Sequence, residues 1–213
     1  MIIHVGINTK TKKEFVKFLK KANSLFPKRT WLHFDVSDPG FSSIKSFFDG
    51  GLVNKHSKQF KTEAHLMSPW KKIDGYFNKA ILKRYFIQYS QIKDWDHLKC
   101  IAKSKKIEIG IVCGISDKIK DLHIPSWIKT IMILAVIPGP SKQKFSIKAY
   151  SLIKLLKRKY PQKKILIDGG INIDILNTLK KYGINEAIST SYIWESKNPA
   201  DTLKKLQAVG NKK

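Results

Sequence analysis

The sequence predicts an α/β fold, specifically a (β/α)8 barrel of the TIM type that forms a single domain over residues 1–213. Two observations favour this fold. Short apolar runs alternate with helical patterns along the whole chain, and about eight strand–helix units fit into 213 residues. The runner-up is an open doubly wound sheet, which is disfavoured because no G-x-G-x-x-G follows the first strand.

Eight strands are predicted from short runs that are rich in β-branched and aromatic residues. They are Ile2–Ile7, Thr30–Val36, Thr62–Met67, Arg84–Tyr89, Ile107–Cys113, Thr130–Val136, Lys164–Asp168 and Glu186–Thr190. The first run lacks the basic start and the small-residue cleavage site of a signal peptide, so we interpret it as a strand.

Helices are predicted between these strands, where apolar residues recur three and four positions apart. They are Thr11–Asn23, Ser43–Phe48, Pro69–Lys79, Lys93–Lys103, Ser116–Asp121, Gln143–Tyr160 and Asn172–Tyr182, with a last helix at Pro199–Ala208. The clearest pattern is that of Phe145–Leu156.

The net charge of +25 suggests nucleic acid as a partner, but the composition argues against specific binding. Among 41 basic residues only Arg29, Arg84 and Arg158 are arginine, the residue that phosphate and base recognition usually recruits. We therefore expect a solvated lysine surface, no specific nucleic-acid partner, and a general attraction to polyanions.

Cysteine content and hydropathy indicate the cellular compartment and whether a membrane is a partner. Cys100 and Cys113 are too few for a disulfide framework and are not spaced as a metal pair, which favours a reducing cytoplasm. No apolar run is long enough to span a membrane, so no membrane partner is expected. The sequence leaves the oligomeric state open, with a homo-oligomer among the options.

A candidate site begins at the stretch Ile165–Asn172, in which a buried strand ends in Asp168 and is followed by Gly169 and Gly170. An acid at the end of a parallel strand lies where α/β barrels place their chemistry. Glycines at a helix entrance let an anion approach backbone N–H groups. A simple helix cap by Asp168 is the alternative.

Polar residues at two other strand ends join this candidate site. His33 and Asp35 are two apart on one strand, so both side chains point to the same face, and His65 comes near the end of the next strand. Two imidazoles and two carboxylates can bind one divalent cation such as zinc, iron(II) or manganese. The remaining histidines, among them His4, are expected to have no such neighbours.

Five motifs resemble the ribulose-phosphate 3-epimerase family, in the family's order and spacing. The family patterns are L-H-x-D-x-M-D-G, H-L-M, V-N-P-G-F-G-G-Q-K-F, D-G-G-I and G-S-A-I-F. The corresponding residues are Leu32–Gly40, His65–Met67, Val136–Phe145, Asp168–Ile171 and Thr190–Trp194.

The resemblance implies a metal-dependent epimerase in which His33, Asp35, His65 and Asp168 bind one divalent metal ion. By the same resemblance, Asp35 and Asp168 are the acid/base pair, and a sugar phosphate is the substrate. The residues expected at the substrate and its phosphate are Met67, Gly139, Ser141, Lys142, Gly169, Gly170, Thr190 and Ser191.

Some family features are changed in this chain. The family's serine on strand one has no clear counterpart, and its glycine before Ser191 is Thr190. Two methionines appear as Ser37 and Leu134, and the G-F-G-G loop has become Gly139–Lys142. The strand-four and strand-five signatures, V-H-x-E and N-P-x-T-P, are missing. These changes bear on the substrate more than on the reaction type.

The expected function is the interconversion of ribulose 5-phosphate and xylulose 5-phosphate, a step of the pentose phosphate pathway. Two alternatives remain open: an epimerase for another ketose phosphate, and a barrel without activity that binds ligands or polyanions. Decarboxylases of the same barrel group are disfavoured because their D-x-K-x-x-D signature is absent.

Overall fold

The computed structural model describes residues 1–117, 122–139, 142–184 and 186–209. In this part of the chain, parallel strands β1 to β8 pair in sequence order, and β8 pairs back with β1 to close a barrel. The strands are β1 Ile2–Ile7, β2 Trp31–Ser37, β3 Lys61–Met67, β4 Arg84–Gln88, β5 Glu108–Gly114, β6 Thr130–Leu134, β7 Lys164–Asp168 and β8 Glu186–Ser189. The predicted (β/α)8 barrel is thereby confirmed.

Helices surround the barrel and connect most of the strands. They are α1 Lys12–Leu25, α2 Gly50–His56, α3 Ile73–Phe77, α4 Trp95–Lys105, α5 Lys148–Lys159, α6 Ile173–Lys181, α7 Ser191–Trp194 and α8 Pro199–Val209. The helix predicted at Ser116–Asp121 falls mainly on residues 118–121, which lie outside the described residues. No helix in the described ranges has both the length and the apolar character that crossing a bilayer requires.

The helix predicted at Ser43–Phe48 was wrong, because this segment has no regular secondary structure. The Ser46 hydroxyl donates to the backbone oxygen of Asp35 and accepts from the backbone N–H of Ser37. Such hydroxyl-to-backbone bonds compete with helix formation. The helix begins later, after Asp49, whose carboxylate caps the N–H of Leu52.

Helix α1 shows how local sequence fixes an element of the outer ring. Thr11 and Glu14 form a reciprocal capping box at its start, which satisfies two backbone donors that the helix leaves unpaired. The buried face carries Phe15, Leu19 and Ala22 against the barrel.

Because side chains alternate along a strand, each strand can contribute to two apolar regions, one outside and one inside the barrel. The larger core, which includes Ile3, Val5 and Ile7 of β1, lies between the barrel and the helices. A smaller apolar cluster fills part of the barrel interior, and its members are Phe86, Val112, Met132, Leu134, Leu166 and Ile188. Residues that alternate with the outer core, such as His33 and Asp35 on β2, therefore face the interior.

Candidate active site

Four side chains converge at the C-terminal end of the barrel strands, as the sequence predicted. His33 and Asp35 come from β2, His65 from β3 and Asp168 from the end of β7. Each offers one ligand atom, and these four atoms all lie within 4.8 Å of one another. Strand register accounts for part of this, because Asp35 is paired directly with His65.

Three of the buried polar atoms in this group have no hydrogen-bond partner among the described residues: His33 Nε2, Asp35 Oδ1 and His65 Nδ1. The nearest approaches between them are 3.5 Å from His33 Nε2 to Asp35 Oδ1 and 3.8 Å from His65 Nδ1 to Asp35 Oδ1. Leaving such atoms buried and unpaired is costly. Two imidazole nitrogens and two carboxylates fit a divalent cation of borderline character, which would satisfy all three atoms.

The two carboxylates of the group differ in their tendency to ionise. Burial, reinforced by the charge of Asp35, raises the pKa of Asp168 to about 7. Burial also opposes ionisation of Asp35, but the proximity of His33 and His65 outweighs it and holds the pKa of Asp35 below its ordinary value. Near neutral pH one carboxyl group is therefore charged while the other holds a proton part of the time, an arrangement suited to acid/base chemistry.

Glu63, which sequence reasoning missed, lies directly beneath this group. Its side chain is fully buried on β3, and Oε1 accepts hydrogen bonds from His33 Nδ1 at 2.8 Å and from His4 Nδ1 at 2.7 Å. His4, which was expected to lack neighbours of this kind, therefore shares a buried carboxylate with His33, although it does not belong to the group of four. Arg84 donates from Nε and a terminal nitrogen to Glu63 Oε2 at 2.9 and 2.6 Å.

These neighbours also set the protonation of the buried groups. Burial opposes ionisation of Glu63, but the charges of His4 and Arg84 hold its pKa well below the usual value. Burial alone would lower the pKa of His33, whereas Asp35 and Glu63 raise it to about 10. Burial lowers the pKa of His65.

A signal for Glu63 was available in the sequence. Glu63 lies two residues before His65, so alternation places both on the interior face of one strand. The second missed residue is Gln88 of β4, whose side-chain amide lies 3.0 Å from His65 Nε2. Gln88 shares the interior face of β4 with Arg84 and Phe86, but no sequence pattern indicated which residue it would contact.

A cavity of about 960 Å³ opens above the four converging residues. Asp35, His65 and Asp168 form part of its lining, whereas His33 is deeper and fully buried. The cavity also reaches seven of the eight residues expected at the substrate and its phosphate: Met67, Gly139, Lys142, Gly169, Gly170, Thr190 and Ser191. The eighth, Ser141, lies outside the described residues.

The glycine pair after β7 allows two loops to meet at the cavity wall. Gly169 and Gly170 have φ angles of +103° and +67°, which a side chain would strain. A Cβ at Gly170 would also lie 2.3 Å from the backbone nitrogen of Phe145. Glycine is therefore needed here for both backbone conformation and close packing of the loop that follows β6.

Two departures from the family motifs are visible at the cavity rim. Lys142 has a φ of +70°, and its ammonium group is 2.8 Å from the carboxylate of Glu195. Between β8 and β1, a Cβ at Gly6 would lie 1.9 Å from the Thr190 hydroxyl oxygen. The hydroxyl of Thr190 on the β8 side therefore occupies the space that a side chain on β1 would fill.

Comparison with known proteins agrees with these features. A family model described as the ribulose-phosphate 3-epimerase family matches residues 8–194. Ribulose-phosphate 3-epimerase from Schizosaccharomyces pombe is 22% identical over 188 residues, which cover 83% of this chain and 80% of that protein. The cytoplasmic isoform from Oryza sativa subsp. japonica is 23% identical over 188 residues, covering 83% and 81%.

Solved structures share the fold at lower identity. The 3-hexulose-6-phosphate synthase from Salmonella typhimurium superposes with a TM-score of 0.67 at 14% identity, covering 99% of both chains. Phosphoribosyl anthranilate isomerase from Thermus thermophilus gives a TM-score of 0.64 at 13% identity, covering 98% of both. At this identity the likeness concerns the barrel fold alone.

Proposed function

Since the chain belongs to the ribulose-phosphate 3-epimerase family and is a sugar-phosphate epimerase, we propose that it interconverts ribulose 5-phosphate and xylulose 5-phosphate with one bound divalent cation. The observation that carries this proposal is the convergence of two imidazoles and two carboxylates within 4.8 Å at the floor of the cavity. A cytoplasmic location and a role in the pentose phosphate pathway belong to the same proposal.

His33, Asp35, His65 and Asp168 would hold the cation, which is zinc, iron(II) or manganese by the donor set. When bound, the cation supplies Lewis-acid stabilisation of negative charge on the substrate oxygens. The unpaired atoms of His33, Asp35 and His65 support this assignment because a cation gives all three a partner.

Epimerisation next to a ketone removes a proton from one face of a carbon atom and adds a proton to the opposite face of the same carbon. In one direction, ionised Asp35 takes the proton from C3, and the electron pair of the broken C–H bond forms a C2–C3 double bond. The π electron pair of the C2 carbonyl moves onto its oxygen, which gives an enediolate. Protonated Asp168 then returns a proton to the opposite face of C3 and the ketone re-forms. Both carboxylates belong to the converging group, so each can exchange a proton with the substrate, and their roles are reversed in the reverse direction.

The phosphate group would bind at the far end of the cavity. Gly139, Gly169, Gly170, Thr190, Ser191 and Lys142 line the cavity. In this proposal the phosphate is bound by the backbone N–H groups of Gly139, Gly170 and Ser191, the hydroxyl of Thr190 and the ammonium group of Lys142, and Gly169 permits the close approach of the loop. Met67 would line the sugar-binding part. Ser141 belongs to the same proposed set from its motif alone.

Asp35→Asn and Asp168→Asn test the proposal in separate proteins. Each change keeps the side-chain shape but removes an acid/base group and a negative ligand, so we expect turnover of ribulose 5-phosphate to fall by at least about 10²–10⁴-fold. Asp49→Asn is the matched control, because asparagine caps a helix as well as aspartate does. Metal analysis of the wild type should find one divalent transition metal per chain.

Isotope exchange distinguishes two bases from other chemistry. The wild type should place deuterium from D₂O at C3 of the product, because the proton removed and the proton returned use different carboxylates. Epimerisation without deuterium incorporation would contradict the two-aspartate mechanism. A metal-loaded wild type that turns over hexulose phosphates but no pentulose phosphate would assign the substrate to another ketose phosphate.

A further inference from the structure

We propose that Glu63 and Gln88 are positioning residues, each of which fixes one imidazole so that His33 presents Nε2 and His65 presents Nδ1 to the cation. The inference rests on the proposed metal site. It extends that site to two buried side chains on β3 and β4, and it assigns different ligand nitrogens to the two histidines.

Glu63 determines the tautomer of His33. Its Oε1 accepts from His33 Nδ1 at 2.8 Å, so the hydrogen on Nδ1 is retained and Nε2 is the nitrogen that gives up its proton when a cation binds. His33 Nε2 is the nitrogen without a hydrogen-bond partner in the described structure, and it faces Asp35. A carboxylate behind a ligating histidine also holds the ring in orientation.

Glu63 itself is held rigidly. Arg84 donates two hydrogen bonds to Oε2, and His4 donates a second one to Oε1. The guanidinium of Arg84 is in turn packed over the rings of Trp31 and Phe86, at 4.9 and 4.7 Å from their centroids. Since neither carboxylate oxygen of Glu63 can move without breaking these bonds, the ring of His33 has one supported position.

Gln88 has the corresponding role for His65, but at the other ring nitrogen. The amide nitrogen of Gln88 lies 3.0 Å from His65 Nε2, while His65 Nδ1 has no partner among the described residues and faces Asp35. When Nδ1 binds a cation, the ring hydrogen is on Nε2 and needs an acceptor. A half turn of the Gln88 amide group puts its oxygen in the same place, so the loaded site selects that orientation.

Metal affinity tests both assignments. Glu63→Gln and Gln88→Leu are compared with the wild type by competition of the zinc-loaded protein with a chelator, and each should weaken zinc binding by about 10–100-fold. Gln88→Leu provides a test at a neutral residue in case Glu63→Gln does not fold. Gln88→Glu keeps an acceptor oxygen and should retain affinity.

Glu186→Gln is the matched control for Glu63. Glu186 approaches the same His4 and Arg84 at 3.5 Å, but the structure gives it no contact with His33 or His65. This variant should therefore bind zinc as the wild type does. A loss equal to that of Glu63→Gln would mean that the buried charge cluster acts only on folding.

Long-range ¹H–¹⁵N NMR of the zinc-loaded wild type gives a readout independent of activity. We expect a hydrogen on Nδ1 of His33 and on Nε2 of His65. The opposite tautomer at either ring, or wild-type zinc affinity in both Glu63→Gln and Gln88→Leu, overturns the inference while leaving the epimerase proposal intact. If the wild type has no epimerase activity but both variants bind zinc more weakly than it does, the inference stands and the proposed function is refuted.

Discussion

Asp168 combines deep burial with a raised pKa, and this combination affects stability as well as chemistry. A carboxyl group whose pKa is about 7 in the folded state and about 3.9 in the unfolded state favours folding below about pH 4. This contribution is lost as the pH rises through 7, where the buried group must ionise. At alkaline pH the metal-free protein therefore bears a second buried carboxylate beside that of Asp35.

Asp168→Asn should make the metal-free protein more stable than the wild type at pH 8, by at most about 4 kcal/mol for a shift of roughly three pKa units. The difference should shrink as the pH falls toward 5. Urea unfolding in the presence of a chelator measures it. With zinc present the order should reverse, because asparagine is the poorer ligand, and a pH-independent difference would contradict the assigned cause.

The convergence of the four residues could be predicted from the sequence, whereas the contacts of Glu63 and Gln88 behind them could not. His33 and Asp35 share a strand face by alternation, and Asp168 follows directly from its strand end. The contact between Gln88 and His65 depends instead on the register between β3 and β4, which the sequence pattern does not give. His4 was misjudged for the same reason, since its partner Glu63 lies 59 residues away in the chain.

At the level of elements, the junction between β1 and β8 is packed tightly. The backbone oxygen of Gly6 accepts a hydrogen bond from Trp194 Nε1 at 2.7 Å, which holds the end of β1 in place. The Thr190 hydroxyl fills the space above Gly6. Neither strand can therefore move aside easily to admit another atom.

Gly6→Ala should destabilise the protein by about 1–3 kcal/mol, because its Cβ would lie 1.9 Å from the Thr190 hydroxyl oxygen. In the double variant with Thr190→Gly the overlap is gone, so most of this loss should be recovered. Urea unfolding of the two single variants and the double variant gives the coupling energy. Strictly additive effects would show that the two positions do not compete for space.

The ion pair between Lys142 and Glu195 links the loop after β6 to the end of α7. Both side chains are more than half exposed, so the pair contributes at most about 1 kcal/mol to stability. Its effect on substrate binding is expected to be larger, because Lys142 lines the cavity and the carboxylate of Glu195 competes with a phosphate for it.

Lys142→Met should raise KM for a sugar phosphate several-fold, and Glu195→Gln should lower it, with kcat nearly unchanged in both. Steady-state kinetics at low and high salt measure the effect, which should weaken as salt screens the charges. Lys17→Met, on the exposed face of α1, is the control. Equal KM values in all three variants would make Lys142 one more surface lysine.

Sequence periodicity located most elements but failed where side chains bond to the backbone. The strands agree with prediction to within about two residues, since buried apolar runs are strongly patterned. The segment Ser43–Phe48 was wrongly predicted helical because the Ser46 hydroxyl bonds to the backbone of β2 instead. Helix α7, with only four residues, was too short to show any periodicity.

At the scale of the whole molecule, the register of the barrel strands decides which side chains of different strands meet, and the sequence pattern does not give this register. Eight alternating units predicted the closed barrel, but only the register between β1 and β8 shows that Thr190 lies beside Gly6. The register between β3 and β4 likewise pairs Glu63 with Arg84 and places this ion pair beneath the four converging residues. Sequence motifs therefore predict the reaction class better than they predict the contacts that hold the site residues in place.

The net charge of +25 is a property of the molecule as a whole, and it leads to the last prediction. The excess comes from 41 basic against 16 acidic residues, and nearly all the basic residues are lysines spread along the chain. Ammonium groups without the planar fork of arginine attract phosphates but discriminate less well between bases. We expect weak binding to duplex DNA with no preference between two unrelated 20-base-pair sequences, measured by fluorescence anisotropy. The affinity should fall at least about tenfold between 50 and 200 mM salt, because binding of this kind depends on counterion release. Tight binding that survives physiological salt and favours one sequence would contradict this interpretation, and it would support instead a barrel whose basic surface serves a polyanionic partner.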